Sequence, residues 1–189
     1  MEEFLLFFLS VFVLFILIGK FFKNKEILHV KSNLDGREYI VRKLPDAVQA
    51  ADKLSGLNQK VLTLIGSLST GEKEGIDDLK SNYDPDSLSE TGIDAKYTSY
   101  SVNKGEKISI CVRNKEDNSF IDDNTILFVF IHELAHVMTS EIGHTPLFWE
   151  NMAFLLKKAN SLNIYTPINY KETPQRYCGM DINSTPYEF

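Results

Sequence analysis

The first pattern along the chain is a nearly unbroken apolar run. Phe4 to Ile18 reads FLLFFLSVFVLFILI, interrupted by Ser10, and Gly19, Lys20, Phe21 and Phe22 follow. A membrane-spanning helix needs roughly 20 apolar residues, and about 17 suffice. The aliphatic stem of Lys20 can reach toward headgroups. Residues 1–22 are therefore expected to form an uncleaved transmembrane anchor. Glu2 and Glu3 make the start acidic, and no small-residue cleavage pattern follows, which argues against a removed signal peptide. Lys20, Lys23, Lys25 and Lys31 all lie after the run. That asymmetry predicts a single-pass membrane protein with its C-terminal domain in the cytosol.

After the run the periodicity changes. Residues 23–44 are charged, with short β-like pieces such as Glu38-Tyr39-Ile40-Val41, and read as a juxtamembrane segment. From Pro45, residues recur at three- and four-residue steps: Val48, Ala51, Leu54, Leu57 (or Asn58), Val61, Ile65 and Leu68. That spacing predicts a long helix over 45–69, with Gly56 as its weak point. Glu72 to Asp94 is acidic and rich in turn residues, and reads as a surface loop with a helical turn around Ile76 to Leu79. Lys96–Val102 and Lys107–Arg113 have strand character, and Asn103-Lys104-Gly105-Glu106 between them is a turn signal, so a β-hairpin is expected. Asn124 to Ser140, NTILFVFIHELAHVMTS, is apolar on nearly every face and predicts a central buried helix capped by Asp123 or Asn124. A second helix follows, with Thr145 as its cap and Pro146 at its first position. The prolines after Ile164 argue for an ordered strap rather than a helix.

Candidate chemistry lies in the apolar helix. His132 and His136 are four residues apart and share one face. Two imidazoles in an otherwise apolar helix need a partner for their polar atoms, and a metal supplies one. With Glu133 they form the pattern His-Glu-x-x-His, in which two imidazoles bind Zn²⁺ and the adjacent carboxylate acts as general base on an activated water. Three of the four histidines fall within thirteen residues. Gly143 lets the chain turn back, so His144 is the expected third ligand, with Glu150 and Glu141 as alternatives. Three protein ligands and an open position make a catalytic rather than a structural zinc site.

The stretch HELAHVMTSEIGHTPLFWENMAFLL resembles the core of the WLM and SprT-like (Spartan-related) zinc metallopeptidases. Their His-Glu-x-x-His is followed by a further histidine shortly before an aromatic residue, as in Gly143-His144-Thr145-Pro146-Leu147-Phe148 here. The resemblance implies His132, His136 and His144 as zinc ligands and Glu133 as catalytic acid/base. The resemblance spans Ile126 to Leu156; with the helices and hairpin read above, the metallopeptidase domain over 45–189 is expected to be α+β and zincin-like, with a small antiparallel-containing sheet beside the His-Glu-x-x-His helix. The arrangement of anchor plus such a domain also resembles uncharacterised proteins of large DNA viruses. Relatives include proteases that cut proteins crosslinked to DNA.

Composition narrows the partners. A net charge of −6 gives no general attraction to nucleic acid. No basic tail follows the motif, so a protein or peptide substrate is expected and nucleic acid is not. Neither Cys111 nor Cys178 lies in a Cys-x-x-Cys pair, which excludes a cysteine zinc knuckle. Two reduced thiols fit a reducing compartment; Cys178 is also weighed as an inhibitory metal ligand. Tyr170 and Tyr177 are candidates for oxyanion stabilisation. Two alternatives stand beside the peptidase: a deformylase-type hydrolase, which needs a cysteine ligand, and a non-enzymatic membrane or virion protein stabilised by zinc.

Overall fold

A computed structural model of the chain describes Phe4, Phe8, Leu9, residues 11–14 and residues 26–189. The single-pass membrane placement expected from the N-terminal run is corrected. No helix among the described residues is long and apolar enough to cross a membrane. A span needs roughly 20 residues of continuous apolar helix. The described positions of the run are helical and exposed but reach only Phe4, Phe8, Leu9 and residues 11–14. The rest of the expected 1–22 anchor lies outside the described residues. The cytosolic orientation argued from the lysines falls with the span.

The stretch expected as a juxtamembrane segment is part of the domain instead. Ile27–Lys31 (β1) and Glu38–Arg42 (β2) form an antiparallel hairpin. Tyr39 and Val41 alternate into the core and are fully buried, which the charged residues around them masked. The sheet is completed by Leu88–Glu90 (β3), Tyr100–Val102 (β4) and Lys107–Ile110 (β5) in the order β1-β2-β3-β5-β4. β3 pairs in parallel with both β2 and β5, and β4 closes one edge antiparallel to β5. The sheet is thus mixed, and the α+β expectation holds in that coarser form.

The helices are α1 (Ala47–Ser67), α2 (Ile76–Asn82), α3 (Asp123–Met138) and α4 (Pro146–Ser161). α1 follows the predicted periodicity and runs through Gly56 without a break. α3 begins one residue earlier than expected, because Asp122 accepts from the Thr125 N–H as its cap. α4 starts as predicted, with Thr145 Oγ1 accepting from the Phe148 N–H at 3.3 Å and Pro146 in the first turn. α3 is enclosed by the sheet, α2 and α4, and Ile126, Leu127, Phe130, Ile131, Leu134 and Ala135 have no exposed surface.

Two glycines permit the tightest approaches to the last turn of α3. Gly75 has φ +85°, and a Cβ there would lie 1.8 Å from the Met138 carbonyl oxygen. Gly105 has φ +108°, and its Cβ would meet the Asn82 carbonyl and the Val137 methyls. Both positions need the left-handed region and the missing side chain together.

The acidic loop expected over 72–94 contains both α2 and β3. β3 is the sheet's central strand and every residue in it is buried, Glu90 included. Its carboxylate accepts from Arg113 Nε at 2.9 Å and from the Arg42 N–H at 2.7 Å. Arg113 also pairs with Asp46 and lies 4.2 Å from the Phe120 ring centre. Burial pushes the Glu90 carboxyl up, against the pull of the two arginines. Arg113 and Glu90 side chains are each 1% exposed, so removing one partner strands a buried charge. Arg113→Ala is expected to lower the unfolding free energy by about 3–5 kcal/mol. Adding Glu90→Gln should restore part of the loss, both read by urea denaturation.

Candidate metal centre

α3 and the link to α4 bring the three predicted histidines together. His132 and His136 project from one face of α3, and His144 returns from the link after a turn at Gly143, where φ is +88°. The helix itself ends earlier than that glycine, at Met138 with Thr139 as its cap. His144 Nε2 lies 3.1 Å from His132 Nε2 and 3.2 Å from His136 Nε2. Two of the rings are half-buried and His144 is exposed.

Phe148 explains how the rings are held. It has no exposed surface and lies on the first turns of α4. Its ring centre is 4.9 Å from His132, 4.3 Å from His136 and 4.8 Å from His144. One aromatic floor therefore packs against all three imidazoles, which gives the spacing from His144 to Phe148 a physical reason.

The donor set fits a zinc ion. Zn–N bonds of about 2.0–2.1 Å at tetrahedral angles put ligand nitrogens about 3.3 Å apart. The two short separations here are close to that. Protons alone do not satisfy the arrangement, because the His144 Nε2 faces two ring nitrogens and a neutral ring nitrogen donates one hydrogen. Burial pushes the His132 imidazole down to about 3, with the other two rings adding to the effect. Burial likewise pushes His136 down to about 4, aided by His144 and the Lys104 ammonium. Both are neutral at pH 7, with lone pairs available to a metal. Of the alternative third ligands, Glu141 lines the groove beside the rings, but neither it nor Glu150 belongs to the cluster.

Glu133 lies beside the triad and is 5% exposed. Burial pushes its carboxyl up to about 7, opposed by a hydrogen bond from the Ser101 backbone. It lines a groove of about 570 Å³ whose walls include Tyr100 and Ser101 of β4, Lys104, and all three histidines.

Sequence reasoning missed Lys104. It sits in a 3₁₀ turn, Asn103–Gly105, with φ +56°. Its ammonium donates to the carbonyls of Thr139 and Glu141, the second at 3.0 Å, with the His136 and Ser140 carbonyls at 3.4 Å. The side chain thus caps the negative end of α3 and grips the link that carries His144. The signal available in sequence was the turn itself, which reveals a hairpin but not what its lysine reaches.

The cysteines are also corrected. Cys111 and Cys178 are joined in a disulfide across 67 residues and are not free thiols, so Cys178 is no metal ligand. Cys178 and Gly179 have φ +50° and +86°, the turn of a hairpin between Gln175–Tyr177 (β6) and Met180–Ile182 (β7). The Tyr177 phenol is buried and bonded to Ser99 Oγ at 2.6 Å, while Tyr170 packs on Phe128 at 4.6 Å. Tyr170 lines neither cavity at the histidines, whereas Tyr177 lines a second, smaller one, which His132 and Glu133 also border.

Lys104→Met is expected to weaken zinc binding roughly 10- to 100-fold, the usual cost of losing outer-shell support, measured by chelator competition. A pH effect follows from the buried groups. Between pH 4.5 and 6.5, His132 and His136 carry protons only in the unfolded metal-free chain, while Glu133 carries one only in the folded chain. Two protons against one leave these three groups binding more in the unfolded state, so their contribution to stability falls as pH falls through that window. The urea midpoint of the metal-free chain should drop from pH 6.5 to 4.5, and His132→Ala/His136→Ala should flatten or reverse the trend.

The WLM domain family matches residues 90–187, just over half of the chain. The chain is 34% identical over 166 residues to the uncharacterized protein R325 of Acanthamoeba polyphaga mimivirus, covering 85% of this chain and 84% of that one. It is 26% identical over 155 residues to the uncharacterized protein 136R of Invertebrate iridescent virus 6, covering 78% and 85%. Among solved structures, Wss1 from Saccharomyces cerevisiae is similar in fold, with a TM-score of 0.52 at 20% identity, covering 65% of this chain and 87% of that one. The site and the matched segment coincide: the chain belongs to the WLM domain family, a zinc metalloprotease-like family.

Proposed function

We propose that the protein is a zinc-dependent peptidase in which His132, His136 and His144 hold the metal and Glu133 is the general base. The observation that carries this reading is the convergence of three imidazole nitrogens, with separations of 3.1 and 3.2 Å to the central one, beside a buried carboxylate in an open groove. A purely structural zinc site has no use for such a base or for a groove beside it.

When bound, Zn²⁺ supplies Lewis-acid polarisation of the scissile carbonyl and acidifies water. The chain's own residues do the rest. Glu133 accepts a proton near neutral pH and can return it to the leaving amine, because its carboxyl is pushed up to about 7. The Ser101 backbone N–H orients that carboxylate. β4 is a sheet edge that pairs on one side only and lines the groove through Tyr100 and Ser101. Apart from the Ser101 N–H that Glu133 holds, its outer side borders the groove, where an extended peptide would lie across the imidazoles. A protein or peptide substrate is thus favoured over a small amide, which would leave that edge unused.

Zinc content and hydrolysis of an unfolded protein test the reading. The wild type should hold about one zinc per chain, and His144→Ala should lose it or bind it much more weakly. Glu133→Gln should keep the metal and lower the hydrolysis rate by roughly 10²- to 10⁴-fold. Unchanged hydrolysis by Glu133→Gln would remove Glu133 from the mechanism. Bound zinc without hydrolysis in the wild type would leave a zinc-stabilised binding protein.

A further inference from the structure

A second cavity, of about 260 Å³, shares His132 and Glu133 with the groove. Phe128 and Val129 from α3, Trp149 and Met152 from α4, and Met180 and Ile182 from β7 make the larger, apolar part of its walls, and Thr98, Ser99, Asp181, Asn183 and Ser184 a polar part. Val129 precedes His132 by three residues, so the two lie on neighbouring positions of one helix face.

The cavity is built from fixed parts. Phe128 and Met152 are buried in the core. The β6–β7 hairpin that forms the outer wall is tied down at three points: the Cys111–Cys178 disulfide, the Tyr177–Ser99 hydrogen bond, and the Thr98 hydroxyl directed at Met180 Sδ at 3.6 Å. A pocket formed in advance spends little binding energy on ordering. Asp181 at the rim is exposed and pairs with Arg176 at 3.2 Å.

We propose that this cavity receives a large apolar side chain, of the size of Leu, Met or Phe, from the peptide residue next to the bond being hydrolysed. The proposal rests on the peptidase reading and names its substrate class. A cavity of about 150 Å³ holds benzene, so the space here accepts such a side chain. The shared walls at His132 and Glu133 place its mouth beside the reacting groups. The wider groove, lined by Lys104, Glu141 and the β4 edge, has about twice the volume, 570 against 260 Å³, so a single side chain is held more closely in the smaller cavity.

The test uses the zinc-loaded full chain and two peptide hydroxamates as probes. One carries an isobutyl side chain beside the chelating group and the other carries glycine there. Calorimetry should show the isobutyl probe binding roughly 10- to 100-fold more tightly, the worth of burying one such side chain. Val129→Phe, which fills the cavity, should remove most of that advantage. Met180→Ala, at an exposed position of the outer wall, should reduce it without risk to the core. Equal affinities in the wild type, or an advantage unchanged in both variants, would overturn the proposal. Peptide hydrolysis is scored separately. Probe discrimination without any hydrolysis keeps the pocket and sinks the peptidase reading. Hydrolysis without preference for an apolar residue at the cut site keeps the peptidase and sinks the pocket.

Discussion

A helix that is apolar on nearly every face has to be surrounded, and surrounding α3 while leaving its histidine face open governs how the other elements are arranged. The sheet, α2 and α4 cover it, and its last turn is approached so closely that glycine is required at Gly75 and Gly105. The uncovered strip is where His132, Glu133 and His136 lie. Burial then does chemical work on those groups. Desolvation disfavours charge, so the imidazoles stay neutral and the carboxyl stays near neutrality in pKa. The same exclusion of water that stabilises the core prepares the site.

The remaining parts of the site come from segments far apart in sequence, and each is fastened by a specific contact. Phe148 sets the ring orientations from α4. Lys104 ties the turn after β4 to the carbonyls that lead toward His144. Asn151 Nδ2 donates to Thr139 Oγ1 at 3.0 Å, and that hydroxyl donates to the Ala135 carbonyl at 2.7 Å, so α4 also grips the end of α3. An exposed third histidine on a linking segment is held by its neighbours rather than by burial of its own.

The meeting of the three histidines was legible in the sequence because helical spacing and a turn glycine are local signals. The two helices around them were legible for the same reason, one from its apolar faces and the other from Thr145-Pro146. What was not legible depended on partners distant in the chain. β3 reads as loop because Leu88-Ser89-Glu90 has no strand pattern of its own; it is a strand because β2 and β5 pair with it and Arg113 neutralises Glu90. The β1–β2 hairpin was hidden by its charged outer face and by proximity to the apolar run. Two cysteines 67 residues apart carry no sign of their pairing. The long apolar run illustrates the opposite error: composition alone suggested a span, and no helix among the described residues supplies one.

The central placement of β3 bears on how the chain reaches this fold. The β1–β2 and β4–β5 hairpins are local and can form early, on the microsecond scale typical of hairpins. Neither completes the sheet, because the strand that joins them arrives after α1 and α2 and pairs in parallel on both sides. The β2–β3 pairing closes the loop over residues 43–87, and the β3–β5 pairing the shorter one over residues 91–106. A three-residue strand with one buried charge is thus the point at which two independently formed halves become one sheet. The pairing that closes the longest loop of the sheet lies there, among residues that line neither cavity beside the histidines.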